Sequence, residues 1–207
     1  MSVKVKICGL TNLADAEAAV AAGADLLGFI FASASPRRMT VTAVADIARH
    51  LPAHVVRVGV FVNPSEDSVH QAIGECGLGL LQFHGEESPE FCTGFGIMSM
   101  KAFRVRDEFS LQALRNYPTD AWLLDTYAEK QLGGTGQTFN WELAVAAREL
   151  GKPIFLAGGL TPENVANAVR RVQPFAVDVS SGVEISPGRK DHAKISAFVQ
   201  AAKGAGA

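Results

Sequence analysis

Short apolar runs rich in valine, isoleucine, leucine and phenylalanine recur along the whole chain. They cover residues 3–7, 26–31, 55–62, 78–83, 97–103, 121–124, 154–157 and 175–179. Runs of this length and composition are typical of buried β-strands, so the pattern predicts eight strands.

The segments between these runs have helical spacing. Apolar residues recur at intervals of three and four over residues 14–22, 41–50, 66–73, 110–116, 141–149, 162–171 and 193–203, and the pattern is weakest after the fourth strand. Asn12 and Thr161 are predicted N-caps, and Pro162 is predicted at a first helical position, where its missing N–H costs nothing.

Strands that alternate with helices predict an α/β fold with a parallel sheet, because each crossover returns the chain to the same end of the sheet. Eight such units in 207 residues favour a single-domain (β/α)8 TIM barrel over residues 1–207. The alternative is an open doubly wound sheet, which usually has a GxGxxG turn after its first strand. Here the first turn reads Cys8-Gly9-Leu10-Thr11 and lacks that motif.

Composition narrows the classes of partner. The formal net charge is -2, and basic residues are scattered, so neither nucleic acid nor a membrane surface is an expected partner. The three cysteines are far apart without metal-ligand spacing, and no secretory leader or membrane span is visible, so we expect a soluble cytoplasmic protein. The expected partner is therefore a small molecule. The protein is expected to be a monomer or a homodimer.

The carboxyl ends of the predicted strands carry the reactive side chains. In a parallel barrel these ends gather at one face, where barrel enzymes place their active sites. The strand-end candidates include Cys8, Arg37 in the loop after the second strand, His84 with Gln82 on the same strand face, Asp125 and Asp178. We therefore expect them to line one pocket.

Two strand ends contain glycine turns. Gly158 and Gly159 follow the seventh strand, and Ser180 and Ser181 follow the eighth. Glycine lets backbone N–H groups approach an anion closely, and these two loops form the usual phosphate site of the barrel. The simpler interpretation is that the glycines only close tight turns.

Alternation along the strands predicts one buried ion pair. If Cys8 faces the barrel interior, Lys4 and Lys6 share that direction, and barrel closure brings Lys6 beside Asp178. A lysine inside a barrel would lose its charge without such a partner. The same cation would favour a thiolate at Cys8, whose reference pKa of about 8.5 leaves it mostly protonated at neutral pH.

Several short motifs, most of them at strand ends, occur along nearly the whole chain. They are Lys6-Ile7-Cys8-Gly9-Leu10-Thr11, Gly23-Ala24-Asp25 with Gly28-Phe29, Ser35-Pro36-Arg37-Arg38, residues 57–63, Gln82-Phe83-His84-Gly85-Glu86, Leu124-Asp125-Thr126, Gly133-Gly134-Thr135-Gly136, Gly158-Gly159-Leu160 and Asp178-Val179-Ser180-Ser181-Gly182-Val183-Glu184. In this order they resemble the phosphoribosylanthranilate isomerases of tryptophan biosynthesis. The cysteine-bearing first strand together with the Asp178–Glu184 segment is the most specific part of the resemblance.

This resemblance implies a (β/α)8 barrel that converts an aldose to a ketose without metal or cofactor. It implies that Asp125 protonates the furanose ring oxygen, so that the ring opens to a Schiff base. Cys8 then removes the C2 proton, and the enolamine tautomerises to the ketone. The resemblance assigns Arg37 to the anthranilate carboxylate, which a guanidinium can pair bidentately.

Structural roles remain open for each of these residues. A lone cysteine on a strand is more often core than base, and Asp125 could cap the next loop. Arg37 could be a solvated surface arginine, as adjacent Arg38 could be, and His84 could be a core histidine. Cys76 and Cys92 are interpreted as structural.

Other functions also remain open. The related barrel isomerase of histidine biosynthesis, or a dual-substrate enzyme, would need a second phosphate turn after the third strand, where Asn63-Pro64 cannot supply it. A metal-dependent epimerase would need several converging histidines and aspartates, and only His84 qualifies. A catalytically silent phosphate-binding barrel is the third alternative. The loop over residues 127–139, with Gly133, Gly134 and Gly136, is a candidate lid.

Overall fold

The computed structural model describes residues 2–125 and 141–206. Its eight parallel strands form a closed ring in chain order. Their bounds are β1 Lys4–Cys8, β2 Leu26–Ile30, β3 Val56–Phe61, β4 Leu80–Phe83, β5 Ser99–Arg104, β6 Ala121–Asp125, β7 Ile154–Ala157 and β8 Ala176–Val179. The predicted (β/α)8 barrel is confirmed, and the closed ring excludes the open doubly wound sheet.

Eight helices in the described part of the chain surround the ring. Their bounds are α1 Leu13–Ala21, α2 Val41–Ala48, α3 Glu66–Cys76, α4 Pro89–Thr93, α5 Glu108–Leu114, α6 Trp141–Arg148, α7 Val165–Val172 and α8 His192–Ala205. Helix α4, at five residues, is the segment whose helical pattern was weakest. Asn12 caps α1 as predicted, since its side chain accepts a hydrogen bond from the Asp15 backbone N–H.

The predicted start of α7 is wrong by about one turn. Helix α7 begins at Val165, and Pro162 lies in a turn before it. The Thr161 backbone N–H donates to Asn164 Oδ1, so the asparagine side chain stabilises this turn. Thr161 is therefore not the side-chain N-cap, because that turn separates it from the helix.

Strand alternation produces two apolar layers. Side chains that point into the ring form a small inner cluster that includes Val58, Met100, Leu123 and Phe155. Side chains of the opposite parity, such as Ile7, Leu27 and Leu124, pack outward against the helices in a larger cluster. The polar side chains of Lys6 and Gln82 therefore lie inside the barrel, where burial gives them few partners.

The chain adds a small hairpin after β8. A 3-10 turn at Ser181–Val183 leads into β9 Glu184–Ser186 and β10 Arg189–Lys190, which pair antiparallel. This hairpin places charged side chains beside the ends of β1 and β8. Within the described ranges, none of the helices is long and apolar enough to cross a membrane. The candidate lid over residues 127–139 lies outside the described residues.

Candidate active site

Cys8 ends β1 on the inner face of the barrel, above a buried ion pair. Lys6 Nζ donates to Asp178 Oδ1 at 3.0 Å, and the Lys6 side chain is fully buried. The two residues are register partners on β1 and β8, so the pairing predicted from alternation is confirmed. Lys4 instead meets Asp25 at the exposed amino end of β1, with 2.9 Å between Nζ and Oδ1.

Gly28 on β2 provides the space for this cluster. A Cβ at Gly28 would lie 2.8 Å from Cys8 Sγ and 3.1 Å from Lys6 Nζ. The first distance is shorter than a normal Cβ contact and the second is tight, so a larger residue at Gly28 would force the thiol to shift and crowd the ammonium. The thiol and the ammonium therefore share a pocket that depends on the missing side chain.

Burial and charge act in opposite directions on the Cys8 thiol. Burial raises the pKa of Cys8, and the Lys6 and Lys190 ammonium groups lower it without reversing the shift. The positive surroundings expected from the sequence are therefore present, but the pKa of the free thiol still lies above its ordinary value. For Lys6, burial lowers the pKa, and the charges of Asp178 and the Cys8 thiolate outweigh it, so the pKa of Lys6 is raised.

Asp125 ends β6 at the same rim, and two strands, β7 and β8, separate β6 from β1 on that side of the ring. Its Oδ2 lies 3.4 Å from His84 Nε2. Gln82 Nε2 lies 3.2 Å from His84 Nδ1. The sequence-predicted pair of Gln82 and His84 thus forms a chain that ends on Asp125.

Arg37 is held by a carboxylate that the sequence interpretation did not assign to the site. Arg37 Nε and Nη2 donate to the two oxygens of Glu184, at 2.8 and 2.6 Å. A guanidinium has five N–H donors, so three remain for a ligand. Arg37 is partly buried rather than a solvated surface arginine, whereas Arg38 is exposed.

A glycine allows Arg37 to approach the end of β1. Gly9 has φ +73°, and a Cβ there would lie 2.6 Å from Arg37 Cδ and 2.9 Å from Ser180 Oγ. In the described part of the chain, this Ser180 hydroxyl is buried without a hydrogen-bond partner. The ends of β1 and β8 and the β2 loop therefore meet around Gly9.

The two glycine turns predicted to bind phosphate lie side by side. Gly158 and Gly159 have φ +87° and +64°, values that glycine adopts readily. A Cβ at Gly182, just after Ser181, would overlap the backbone oxygen of Leu160. The loop after β7 and the 3-10 turn after β8 are therefore in direct backbone contact, with Ser181 exposed at the start of that turn.

Two buried lysines, one beside Cys8 and one on another side of the barrel, were not singled out from the sequence. Lys190 Nζ donates to Glu184 Oε1 at 2.9 Å and to the Cys8 carbonyl at 2.6 Å. Lys101 Nζ lies 2.7 Å from Glu87 Oε2 below the loop after β4. The sequence offers one weak signal for Lys190, which is a charged residue without an obvious partner nearby in the chain. Its partner Glu184 also binds Arg37 in a distant loop, and sequence patterns do not show such a contact.

The remaining cysteines, Cys76 and Cys92, are buried away from the strand ends that carry the site. Burial raises the pKa of Cys76 to about 11 and that of Cys92 to about 12. Over residues 2–125 and 141–206, no three His, Cys, Asp or Glu side chains are grouped as metal ligands. The chemistry that these residues can carry out is proton transfer beside bound anions.

The closed barrel, with its reactive side chains gathered at one rim, defines an enzyme of the (β/α)8-barrel class. The family model described as N-(5'-phosphoribosyl)anthranilate (PRA) isomerase matches residues 5–201. A relative of that name from Geobacter sp. (strain M21) is 56% identical over 200 residues, covering 97% of this chain and 98% of the relative. The chain belongs to this family and is an isomerase of tryptophan biosynthesis.

Solved structures agree with this assignment. The phosphoribosyl anthranilate isomerase of Thermotoga maritima is 43% identical, with a TM-score of 0.89, and the alignment covers 98% of this chain and 99% of that one. A structure described as phosphoribosyl anthranilate isomerase in complex with reduced 1-(o-carboxyphenylamino)-1-deoxyribulose 5-phosphate has the same TM-score of 0.89 and the same coverage at 42% identity.

Proposed function

We propose that the chain catalyses the Amadori rearrangement of N-(5-phosphoribosyl)anthranilate to 1-(2-carboxyphenylamino)-1-deoxyribulose 5-phosphate, with Cys8 as general base and Asp125 as general acid. The observation that carries the proposal is the placement of both groups on the carboxyl-end rim of one closed ring. A proton donor and a proton acceptor on separate strands can act on different atoms of one sugar.

The proposed reaction has two proton transfers. Asp125 donates a proton to the furanose ring oxygen as the C1–O bond breaks, which gives an open-chain Schiff base. Cys8 removes the proton from C2 as the thiolate, and the electron pair moves to form the enolamine. The Lys6 ammonium lowers the cost of the negative sulfur in this buried pocket. Tautomerisation of the enolamine then yields the ketone.

The binding residues are proposed from their positions and their charges. Arg37 would pair its remaining donors with the anthranilate carboxylate. Gly158, Gly159, Ser180 and Ser181 would hold the phosphate, which is supported by the adjoining backbone turns and by the unpaired Ser180 hydroxyl among the described residues.

Gln82 and His84 would line the pocket beside Asp125. Asp178 was predicted to bind substrate, and it has a different partner in the structure. Its carboxylate is bonded to Lys6, below Cys8. We therefore propose that Asp178 contributes to binding indirectly, because it balances the charge of Lys6 beneath the substrate.

We also propose that residues 1–207 form one domain and act in the cytoplasm on a phosphosugar, without nucleic acid or membrane. One domain is supported by the closure of β1 against β8, the two ends of the barrel sequence. A Thermotoga maritima relative that is 42% identical is described as dimeric, so sedimentation of this chain would distinguish the predicted monomer from the predicted homodimer.

Steady-state turnover of phosphoribosylanthranilate, followed by the loss of anthranilate fluorescence, tests the proposed function. We expect turnover without added metal. Failure to convert this substrate, with binding retained, would support the silent phosphate-binding barrel instead. The substrate of the histidine-pathway isomerase is assayed in parallel. Conversion of that substrate without conversion of phosphoribosylanthranilate would overturn the proposal.

A further inference from the structure

Lys190, on β10, has a fully buried side chain whose three donors are all used. Its Nζ donates to the Cys8 carbonyl at 2.6 Å, to the Ser180 carbonyl at 3.1 Å and to Glu184 Oε1 at 2.9 Å. An ammonium has three N–H donors, so none is left for a ligand. Lys190 therefore acts on its neighbours and not on the substrate.

Glu184 connects Lys190 to Arg37, the residue that we propose to bind the anthranilate carboxylate. Its carboxylate accepts hydrogen bonds from Lys190, from both Arg37 nitrogens and from the Gly188 backbone N–H. Burial raises the pKa of Glu184, but the Arg37 and Lys190 cations outweigh it, so the pKa is lowered and the group stays ionised. One buried carboxylate is thus shared by two cations.

We propose that Lys190 is a positioning residue for the isomerisation, which holds Cys8 at the end of β1 and, through Glu184, Arg37 in one fixed relative placement. The inference rests on the proposed roles of Cys8 and Arg37. It adds that the β9–β10 hairpin, through Lys190 and Glu184, sets the distance between the proposed base and Arg37.

The packing of this region supports a positioning role. Gly9, next to Cys8, packs closely against both Arg37 and Ser180, since a Cβ there would lie 2.6 Å from Arg37 Cδ and 2.9 Å from Ser180 Oγ. Misplacement of a reacting group by about 1 Å can cost about a hundredfold in rate. The charged groups around the thiol are Lys6 on β1, Asp178 on β8, Lys190 on β10 and Arg37 after β2.

The test uses three variants of the full chain. Lys190→Met keeps the length of the side chain and removes its donors, Lys190→Gln keeps an amide in case the methionine variant does not fold, and Glu184→Gln weakens the hold on Arg37. Lys101→Met is the matched control, because it removes an equally buried ammonium from a buried glutamate on another side of the barrel. Circular dichroism establishes which variants fold.

Two readouts separate positioning from general damage. We expect the Lys190 variants to lose about tenfold to a hundredfold in kcat, and Glu184→Gln to raise KM more than it lowers kcat. Thiolate absorbance at 240 nm, with Cys8→Ser as the blank, should show that Cys8 titrates at higher pH in both Lys190 variants, because one of the cations near its sulfur is gone. Lys101→Met should leave that titration unchanged.

Two results would overturn the proposal. One is a folded Lys190 variant with wild-type kcat and an unchanged Cys8 titration. The other is an equal shift of the titration in Lys101→Met, which would show a general effect of lost positive charge. Either result leaves the proposed function standing if wild-type enzyme turns over and Cys8→Ser does not. Absence of wild-type turnover would be a failure of the proposed function itself.

Discussion

Lys6 and Asp178 form an ion pair inside the barrel, with 3.0 Å between Nζ and Oδ1. They lie on the first and last strands of the ring, so the contact closes the barrel and also places a positive charge beneath Cys8. One pair therefore links the stability of the fold to the ionisation of the proposed base.

Replacement of Lys6 tests this link. In Lys6→Met, Asp178 loses its partner in a buried site, and the free energy of unfolding should fall by about 3–5 kcal/mol. The pKa of Cys8 should rise further, because the largest opposing positive charge is gone. Urea denaturation and thiolate absorbance at 240 nm measure the two effects.

The double variant Lys6→Met/Asp178→Leu is the control for stability. Removal of both charges should restore much of the lost stability, since an apolar pair can replace a buried ion pair. Turnover should stay low, because the cation beside Cys8 is still missing. Full recovery of the rate in the double variant would show that Lys6 acts on the fold alone.

Gly28→Ala should impair the reaction more than the fold. The new methyl group would lie 2.8 Å from Cys8 Sγ, so the thiol must leave its position. We expect kcat to fall by about tenfold or more and the free energy of unfolding to fall by about 1–3 kcal/mol.

Gly74→Ala is the matched control for this substitution. Gly74 lies within α3, where a Cβ would meet no atom within 4 Å. Alanine there should leave turnover unchanged and stabilise the helix by about 0.5–1 kcal/mol. Equal loss of activity in the two variants would contradict the account of Gly28.

Arg37→Lys should weaken substrate binding. Lysine keeps the charge and loses the planar donor set, which holds Glu184 and is proposed to pair with the anthranilate carboxylate as well. We expect KM to rise about tenfold to a hundredfold. The exposed neighbour gives the comparison, since Arg38→Lys should change neither KM nor kcat, and a similar rise in KM there would remove the special role of Arg37.

Asp25 should contribute to the way in which the stability of the folded protein depends on pH. Burial raises its pKa, but hydrogen bonds from Lys4, the Val5 N–H and Lys203 outweigh it, so the folded pKa lies below the ordinary 3.8. A carboxyl with a depressed folded pKa stabilises the protein above the unfolded pKa. That contribution is lost as pH falls through the folded pKa.

The dependence of the melting temperature on pH tests this contribution of Asp25. Between about pH 5 and pH 3 the Tm of wild type should fall more steeply than that of Asp25→Asn, which should already be lower at neutral pH. Asp46→Asn removes the exposed pair with Arg49, and its Tm curve should run parallel to wild type. Parallel curves for Asp25→Asn and wild type would contradict the prediction.

The architecture was largely predictable from the chain because strand and helix periodicities are local signals. The Lys6–Asp178 pair was predictable too, since closure of an eight-strand ring fixes which strands are neighbours. The shared Glu184 carboxylate was not, because Arg37 is 147 residues away in a loop and Glu184 begins a strand of three residues, which is too short to show a period. The start of α7 was missed because the Asn164 side chain stabilises a turn where Thr161 and Pro162 predicted a helix.

Turnover by Cys8→Ala and Asp125→Asn tests the central claim most directly. Cys76→Ala is the control, since that thiol lies on an outer helix and bonds to the Val41 carbonyl. With phosphoribosylanthranilate as substrate, the account predicts that each of the first two variants folds and loses about a hundredfold to ten-thousandfold in kcat, while Cys76→Ala keeps the wild-type rate. A wild-type rate in either Cys8→Ala or Asp125→Asn would contradict it.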